Sequence, residues 1–598
     1  MSDATDVSAS PTPASAPAEK PRFISSKALH RLAYPLLAVL CVMLWLPGIV
    51  SLPALDRDES RFAQSSRQML DSGNFVDIRF GQVPRYKKPV GIYWMQAAAT
   101  AIAGHAENLA DGQDTKIWTY RLPSLIGGIA AVWLTYWVGS VVGAEVGLVA
   151  ALLLGFSVLL AAEATIATTD AVLLATVLGM QGVLLRIYKA ASEGASVSSR
   201  LAMWGWAAFA LGILVKGPVI AGVAAATVAA LIVWDWRAKT GIAWTWLKAT
   251  KPVWGVALTL LIVAPWLIAI WRESQGAFFQ QSLGSDFAAK LAGGQESHGA
   301  PPGYNLVLSA IAFWPAILFV APAIGVGIAK AKEPVVRFLL AWAGGWWLVC
   351  EAVPTKLPHY VLPAYPALAI LAAVWVLAPK GDDQGLDPVW RKTLTMVAML
   401  QFLLGLIALS AAPIWLPKLY GDGLPTGFVV SAVMGGLIGL GAPIAVFFGG
   451  RLVGFWLALL SFLILAPTLT AGAGPHLTDL WFTQTLKALV VKNTHSGDPP
   501  PALAGYEEPS MVFALGADVN LTDGRGAAKL GADFGGLALV DDYEQPKFLA
   551  HLAELQSDAV PVDQATGFDY SRGKKVHVTV YRVRKLITAP PPASGVVH

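Results

Sequence analysis

Apolar runs about as long as a bilayer-crossing helix needs recur along this chain, and they leave little room for any other architecture. They fall near 34–52, 122–140, 146–163, 171–188, 201–216, 218–234, 253–271, 304–324, 338–353, 360–378, 394–413, 427–448 and 453–471, which makes thirteen. A shorter run, "GIYWMQAAATAIAG" at 91–104, suits a helix lying along the membrane interface better than one crossing it. Only 14% of the residues are charged, against roughly 25% in soluble domains. The fold class expected is therefore an all-α polytopic membrane protein. Cys41 and Cys350 lie inside apolar runs and read as buried thiols, with neither a disulfide framework nor a cysteine metal knuckle available. A net charge of +4, spread along the chain, does not point to nucleic acid, and no nucleic-acid partner is expected.

Three segments follow. Residues 1–30 open Ser/Ala/Pro-rich and are expected to be a disordered cytoplasmic N-terminus, with the first apolar run retained as a helix. Residues 31–474 form the membrane domain, with outer loops at 53–121 and 272–303. From 475 to 598 the apolar runs stop. There "SMVFALG", "GGLALVDDY" and "VHVTVYRVRK" read as strands and "PKFLAHLAELQ" as an amphipathic helix, giving a small α/β domain.

Lysines and arginines of short loops set the orientation. Under thirteen spans, the clusters around Arg31, Arg186, Lys239, Lys330, Arg391 and Arg451 all fall on one side, the cytoplasm. The loop after the first span and the C-terminal domain then face outward. Were 91–104 a crossing helix, every later cluster would change sides. The outer loop is nevertheless basic, and a basic loop held against the usual bias points to an anionic ligand.

Four outward stretches carry chemistry. "DRDESRFAQSSRQMLDSG" reads as a short helix with acids at its start and Gly73 past its end. Asp58 there could be a plain N-cap, with Arg61 its ion-pair partner. "RYKKPVGIYW" sets Arg85, Lys87 and Lys88 beside an interfacial helix, where ammonium and guanidinium groups could hold a phosphate at headgroup level. Asp170 in "TTDAVL" could cap its helix or face a cavity. Lys216 in "LVKGPV", and Lys356, His359 and Tyr360 in "PTKLPHYVLPAYP", complete the set. Acids beside cations at one membrane surface suit transfer of a sugar from a lipid phosphate. The cations would stabilise the departing phosphate, and a carboxylate would serve the incoming nucleophile.

These motifs, in this order, resemble the aminoarabinose transferase and protein O-mannosyltransferase-like family of bacterial membrane glycosyltransferases. The resemblance covers about 50–375. It implies a GT-C fold with about thirteen spans and an outward C-terminal domain, in the bacterial inner membrane. It implies a polyprenyl-phosphate (undecaprenyl-phosphate) sugar donor, and a lipid A, glycan or protein acceptor at the periplasmic face. By the same resemblance Asp58 and Asp170 are the catalytic acids, and Arg61, Arg85, Lys88, Lys216, Lys356 and Tyr360 surround the donor phosphate. The family associates a divalent metal with a glutamate where this chain has Lys87, and with a histidine near Asp286. With those ligands replaced, no metal ligand is assigned, a divalent metal stays open, and a Lys87–Asp286 salt bridge is expected in place of the usual metal bridge. Glu296 and His298 remain open as ligands or acceptor-loop residues. A transporter or flippase of a lipid-linked glycan is the alternative function, though such a protein should place its charges near the bilayer midplane and show repeated halves.

Overall fold

The computed structural model describes residues 26–103, 116–242, 244–282, 284, 299–379, 385–423 and 425–585. Asp286, Glu296 and His298, and with them the expected Lys87–Asp286 pair, lie outside the described residues, as do 1–25 and 586–598.

Among the described residues, ten helices are long and apolar enough to cross a membrane. An eleventh span arises if Ala144–Gly155 and Val158–Thr165, bent by 64° at their junction, count as one. The expected runs at 201–216 and 304–324 are also helical, but differently. Ser199–Lys216 is an 18-residue helix that is less apolar than the others, and the second run divides into Tyr304–Ala312 and Ile317–Ala329. The multi-pass all-α architecture stands, with ten or eleven clear spans. The run at 91–104 is a 12-residue helix, Gly91–Ile102. At 1.5 Å per residue it reaches about 18 Å, well short of the roughly 30 Å hydrocarbon core.

One apolar core runs through the membrane helices. Many of their outward faces stay apolar and exposed, as on Leu260, Leu261, Leu404 and Ile407, which is what lipid contact requires.

The stretch after the first span folds as expected. Asp58–Ser72 is a helix closed by Gly73 at φ 70°, the left-handed end that glycine takes without strain. A hairpin of β1 (Arg79–Phe80) and β2 (Val83–Pro84) then leads into the Tyr86–Pro89 turn.

The C-terminal part is an α/β domain. Its strands are β3 (Ala502–Ala504), β4 (Asn520–Thr522), β5 (Gly536–Asp541), β6 (Ala559–Asp569) and β7 (Lys574–Val583), in the order β4-β3-β5-β7-β6. β3 is parallel to β4 and β5, whereas β7 is antiparallel to β5 and β6. "PKFLAHLAELQ" is helical over Gln545–Glu554. "SMVFALG" is not a strand: Pro509–Leu515 is a helix. Pro509 occupies its first turn, where a missing N–H costs nothing, and Gly516 at φ 109° ends it. Apolar composition outweighed those end signals in the sequence reading.

Candidate active site

Glu59, one of two acids in the first turn of its helix, organises the end of the membrane domain that faces the C-terminal domain. Its carboxylate forms a paired contact with the Arg121 guanidinium, Nε to Oε1 at 2.8 Å and Nη2 to Oε2 at 2.9 Å. It also accepts from the backbone N–H of Leu55 (2.8 Å) and of Ala167 (2.7 Å). Arg121 donates onward to the carbonyls of Ile49, Leu52 and Pro53. Both side chains are at most 1% exposed. Charges this deep are tolerable only when every donor and acceptor is met, and here they tie three segments together. Those segments are the end of the first span, the loop before Asp58, and the 166–169 turn before Asp170.

That turn is held from other directions as well. Gln96 on the helix Gly91–Ile102 donates to Ala167 O at 3.2 Å and accepts from Ser66 at 2.8 Å, and Ser124 donates to Thr168 O at 3.2 Å. Asp58 and Asp170 are each the first residue of a helix, not the cap: the N-cap residues are Arg57 and Thr169, and neither makes a side-chain cap bond. The two carboxylates are thereby available for something else.

Both line one cleft of about 260 Å³, together with Lys88, Lys216, His359 and Tyr360. Asp58 is 62% exposed at the side chain, so it opens to solvent through the cleft. Arg85 Nη2 lies 3.3 Å and Arg61 Nη1 3.8 Å from its Oδ1. The surrounding protein disfavours its charge, but Arg85, Arg61 and Lys88 outweigh that and hold the carboxyl below the usual carboxylate range. Arg85 is itself fixed by Tyr93 OH at 2.6 Å and lies 4.9 Å over the Phe62 ring. Asp170 makes a buried ion pair with Lys216, Nζ to Oδ1 at 2.6 Å.

The cations converge because two backbones touch. A Cβ on Gly91 would stand 2.7 Å from Leu214 O, so only glycine lets the interfacial helix seat against the end of Ser199–Lys216. Gly217 at φ 65° then turns the chain directly after Lys216. Lys87, Lys88 and Lys216 thus line a second cavity of about 210 Å³, which shares Lys88, Asp170, Lys216, His359 and Tyr360 with the first. The rest of its lining is largely apolar, with Leu173, Val219, Trp346, Val349 and Val353.

Lys356, expected among the phosphate-binding cations, has another role. Its buried Nζ donates to the carbonyls of Cys350 (3.0 Å), Glu351 (2.9 Å) and Val353 (3.0 Å), closing the C-terminus of the helix Pro334–Ala352. An ammonium suits helix ends as well as phosphates, so residue type could not separate the two.

Glu163 and His359 join the cleft unforeseen as partners. Glu163, Asp170 and His359 each offer a ligand atom within 4.8 Å of the others, a mixed carboxylate and imidazole set that suits a divalent cation. His359 Nδ1 stands 3.7 Å from Glu163 Oε1, and Thr168 donates to Glu163 Oε2 at 2.8 Å. The residues fit such an ion, with Lys216 as its competitor for Asp170.

A family model for dolichyl-phosphate-mannose-protein mannosyltransferases matches residues 87–271, the stretch carrying Lys88, Asp170 and Lys216. The undecaprenyl phosphate-alpha-4-amino-4-deoxy-L-arabinose arabinosyl transferase of Pectobacterium carotovorum is 24% identical over 421 residues, covering 68% of this chain and 70% of that protein. Its counterpart from Pectobacterium atrosepticum is 23% identical, covering 62% of each chain. Among solved structures, ArnT from Cupriavidus metallidurans bound to undecaprenyl phosphate matches with a TM-score of 0.68 at 17% identity, over 91% of this chain and 97% of that one. The chain is homologous to the aminoarabinose transferase family. It shares their GT-C fold, C-terminal domain included, as the apo form of the same solved protein also shows, with a TM-score of 0.65.

Proposed function

We propose that this chain is an inner-membrane glycosyltransferase that moves a sugar from an undecaprenyl-phosphate carrier to an acceptor at the periplasmic face. The observation that carries the reading is a pair of cavities that share Lys88, Asp170 and Lys216, one also lined by Asp58 and the other largely by apolar side chains. A lipid phosphate requires that combination of charge at the surface and hydrocarbon beneath. The homology with transferases that carry undecaprenyl phosphate in their names supports the same choice of donor.

In the reaction the bond from the anomeric carbon to the phosphate oxygen breaks as the acceptor oxygen bonds to that carbon. The leaving phosphate passes from one negative charge to two, and Lys88 and Lys216, with Arg85 nearby, meet that charge. Asp58, ionised and solvent-facing, orients the acceptor and takes its proton when the acceptor is a hydroxyl. Asp170 holds Lys216 in place and steadies positive charge developing on the sugar ring. A divalent cation held by Glu163, Asp170 and His359 would supply further positive charge beside the phosphate. Lipid A, an envelope glycan and a protein hydroxyl are the acceptor classes considered.

Thirteen spans complete the topology when Ser199–Lys216, the Tyr304–Ala329 pair and the bent pair each cross once. The N-terminus then lies in the cytoplasm and the domain after residue 475 in the periplasm.

The Asp58→Asn variant tests the function. Transfer from an undecaprenyl-phosphate sugar should fall by at least about 100-fold, the range for loss of a general acid or base, while carrier binding persists. A variant that still transfers at the parent rate would contradict the reading. Carrier-linked sugar crossing vesicles without any transfer would instead favour a flippase.

A further inference from the structure

The residues immediately before Asp58 are gripped from two sides, and one of the grips comes from the far end of the chain. Glu59 holds Leu55 N from the membrane domain. From the C-terminal domain, Tyr570 OH accepts the backbone N–H of Asp56 at 2.6 Å. Ser510 Oγ donates to the buried Asp56 carboxyl. Arg57 Nη2 donates to Ser571 O at 2.9 Å. Between these contacts Arg57 sits at φ 67° and ψ −119°, a conformation that side-chain-bearing residues avoid and keep only where the surroundings impose it.

The gripping residues are themselves cross-braced. Asp569 Oδ1 accepts from Ser571 Oγ (2.7 Å), Ser571 N (3.1 Å) and Arg572 N (3.0 Å), which fixes the turn presenting Tyr570 and Ser571. Ser571 Oγ also lies in hydrogen-bond contact with Glu508, the residue that opens the helix carrying Ser510. Two separate segments of the domain therefore act as one jaw. The strained residue it holds is the one before the carboxylate in the cleft.

We propose that Ser510 and Tyr570 are positioning residues of the transferase: through Asp56 and Arg57 they set where Asp58 points, so the C-terminal domain is a working part of the cleft. This deepens the glycosyltransferase reading and rests on it. Neither residue lines the Asp58 cleft, so neither touches a substrate there, and their effect should fall on turnover instead of on carrier binding.

The test uses the full-length protein in detergent with an undecaprenyl-phosphate sugar as donor, and compares the parent, Asp58→Asn, Ser510→Ala, Ser510→Thr and Tyr570→Phe. We expect Ser510→Ala and Tyr570→Phe each to lower kcat by about 10-fold or more. The donor KM, undecaprenyl phosphate binding and melting temperature should stay near the parent's, and Ser510→Thr should restore rate because it keeps the hydroxyl. Unchanged kcat in both variants overturns the proposal, as does a loss of activity that merely tracks loss of folded protein. Should Ser510→Ala fold poorly, Tyr570→Phe, which keeps the ring, decides by the same outcomes. An inactive parent, or an active Asp58→Asn, would overturn the transferase reading itself, so the two failures are distinguishable.

Discussion

Asp58 and Glu59 are neighbours with the same functional group, and their surroundings divide the work between them. Asp58 faces the cleft, with arginines near it but most of its side chain open. Glu59 is saturated by Arg121 and two backbone amides. Removing one partner of such a buried pair leaves the other charge uncompensated, at about 3–5 kcal/mol. Glu59→Ala should therefore lower the melting temperature markedly in detergent, where Asp58→Asn should not. Asp56 adds a pH signature outside the membrane. Burial first, then the negative charges of Glu508 and Asp569, raise its carboxyl from 3.8 to about 7 against the opposing Ser510 hydrogen bond. An acid whose value rises on folding binds its proton more tightly when folded. Its contribution to stability is thus full below about pH 4 and lost as the pH rises through about 7. Glu508, also raised by burial, pulls the same way. Melting temperature should fall between pH 5 and 7.5, and Asp56→Asn should flatten that slope; an equal slope in the variant would contradict the assignment. Residue type alone showed which acids and lysines were unusual. It could not show that Glu59 is tied down while Asp58 faces the cleft, or that Lys356 closes a helix, because a carboxylate or an ammonium serves either purpose.

The elements around the cleft owe their placing to close backbone approaches as much as to charge. That the helix Gly91–Ile102 does not cross the membrane was legible from its length alone, since 12 residues cannot span the bilayer. Its contact with the end of Ser199–Lys216 was not, because a glycine's role depends on a neighbour more than a hundred positions away. Gly91→Ala would press a methyl group into the Leu214 backbone, an overpacking cost of about 1–3 kcal/mol. It should also push Lys87 and Lys88 away from Lys216, weakening undecaprenyl phosphate binding as measured by titration. Normal binding and stability in that variant would mean that the helices do not need to touch. The helix Pro509–Leu515 illustrates the reverse difficulty. Its short apolar run fits either periodicity, and only its end residues and its packing, such as Phe513 against Tyr120 with ring centroids 5.7 Å apart, make it helical.

Across the whole molecule, the apolar runs located the membrane helices and the charged outer stretches located the cleft, since burial in lipid permits few alternatives. The interlock of the loop after the first span with the C-terminal domain was invisible, because Asp56 and Tyr570 are 514 positions apart and no local pattern records such a pairing. A transferase of this kind needs the cleft to be a phosphate site with an apolar lining, assembled from the first loop, the residues before Gly91 and the turn after Lys216. Titrating the purified protein with undecaprenyl phosphate and with undecaprenol, which lacks only the phosphate, tests this most directly. A charge-assisted hydrogen bond contributes about 1.5–3 kcal/mol. The parent should therefore prefer the phosphate by at least about 10-fold, and Lys88→Ala should lose much of that preference while undecaprenol binding stays unchanged. Equal binding of both lipids by the parent, or a preference that survives loss of both Lys88 and Lys216, would contradict it.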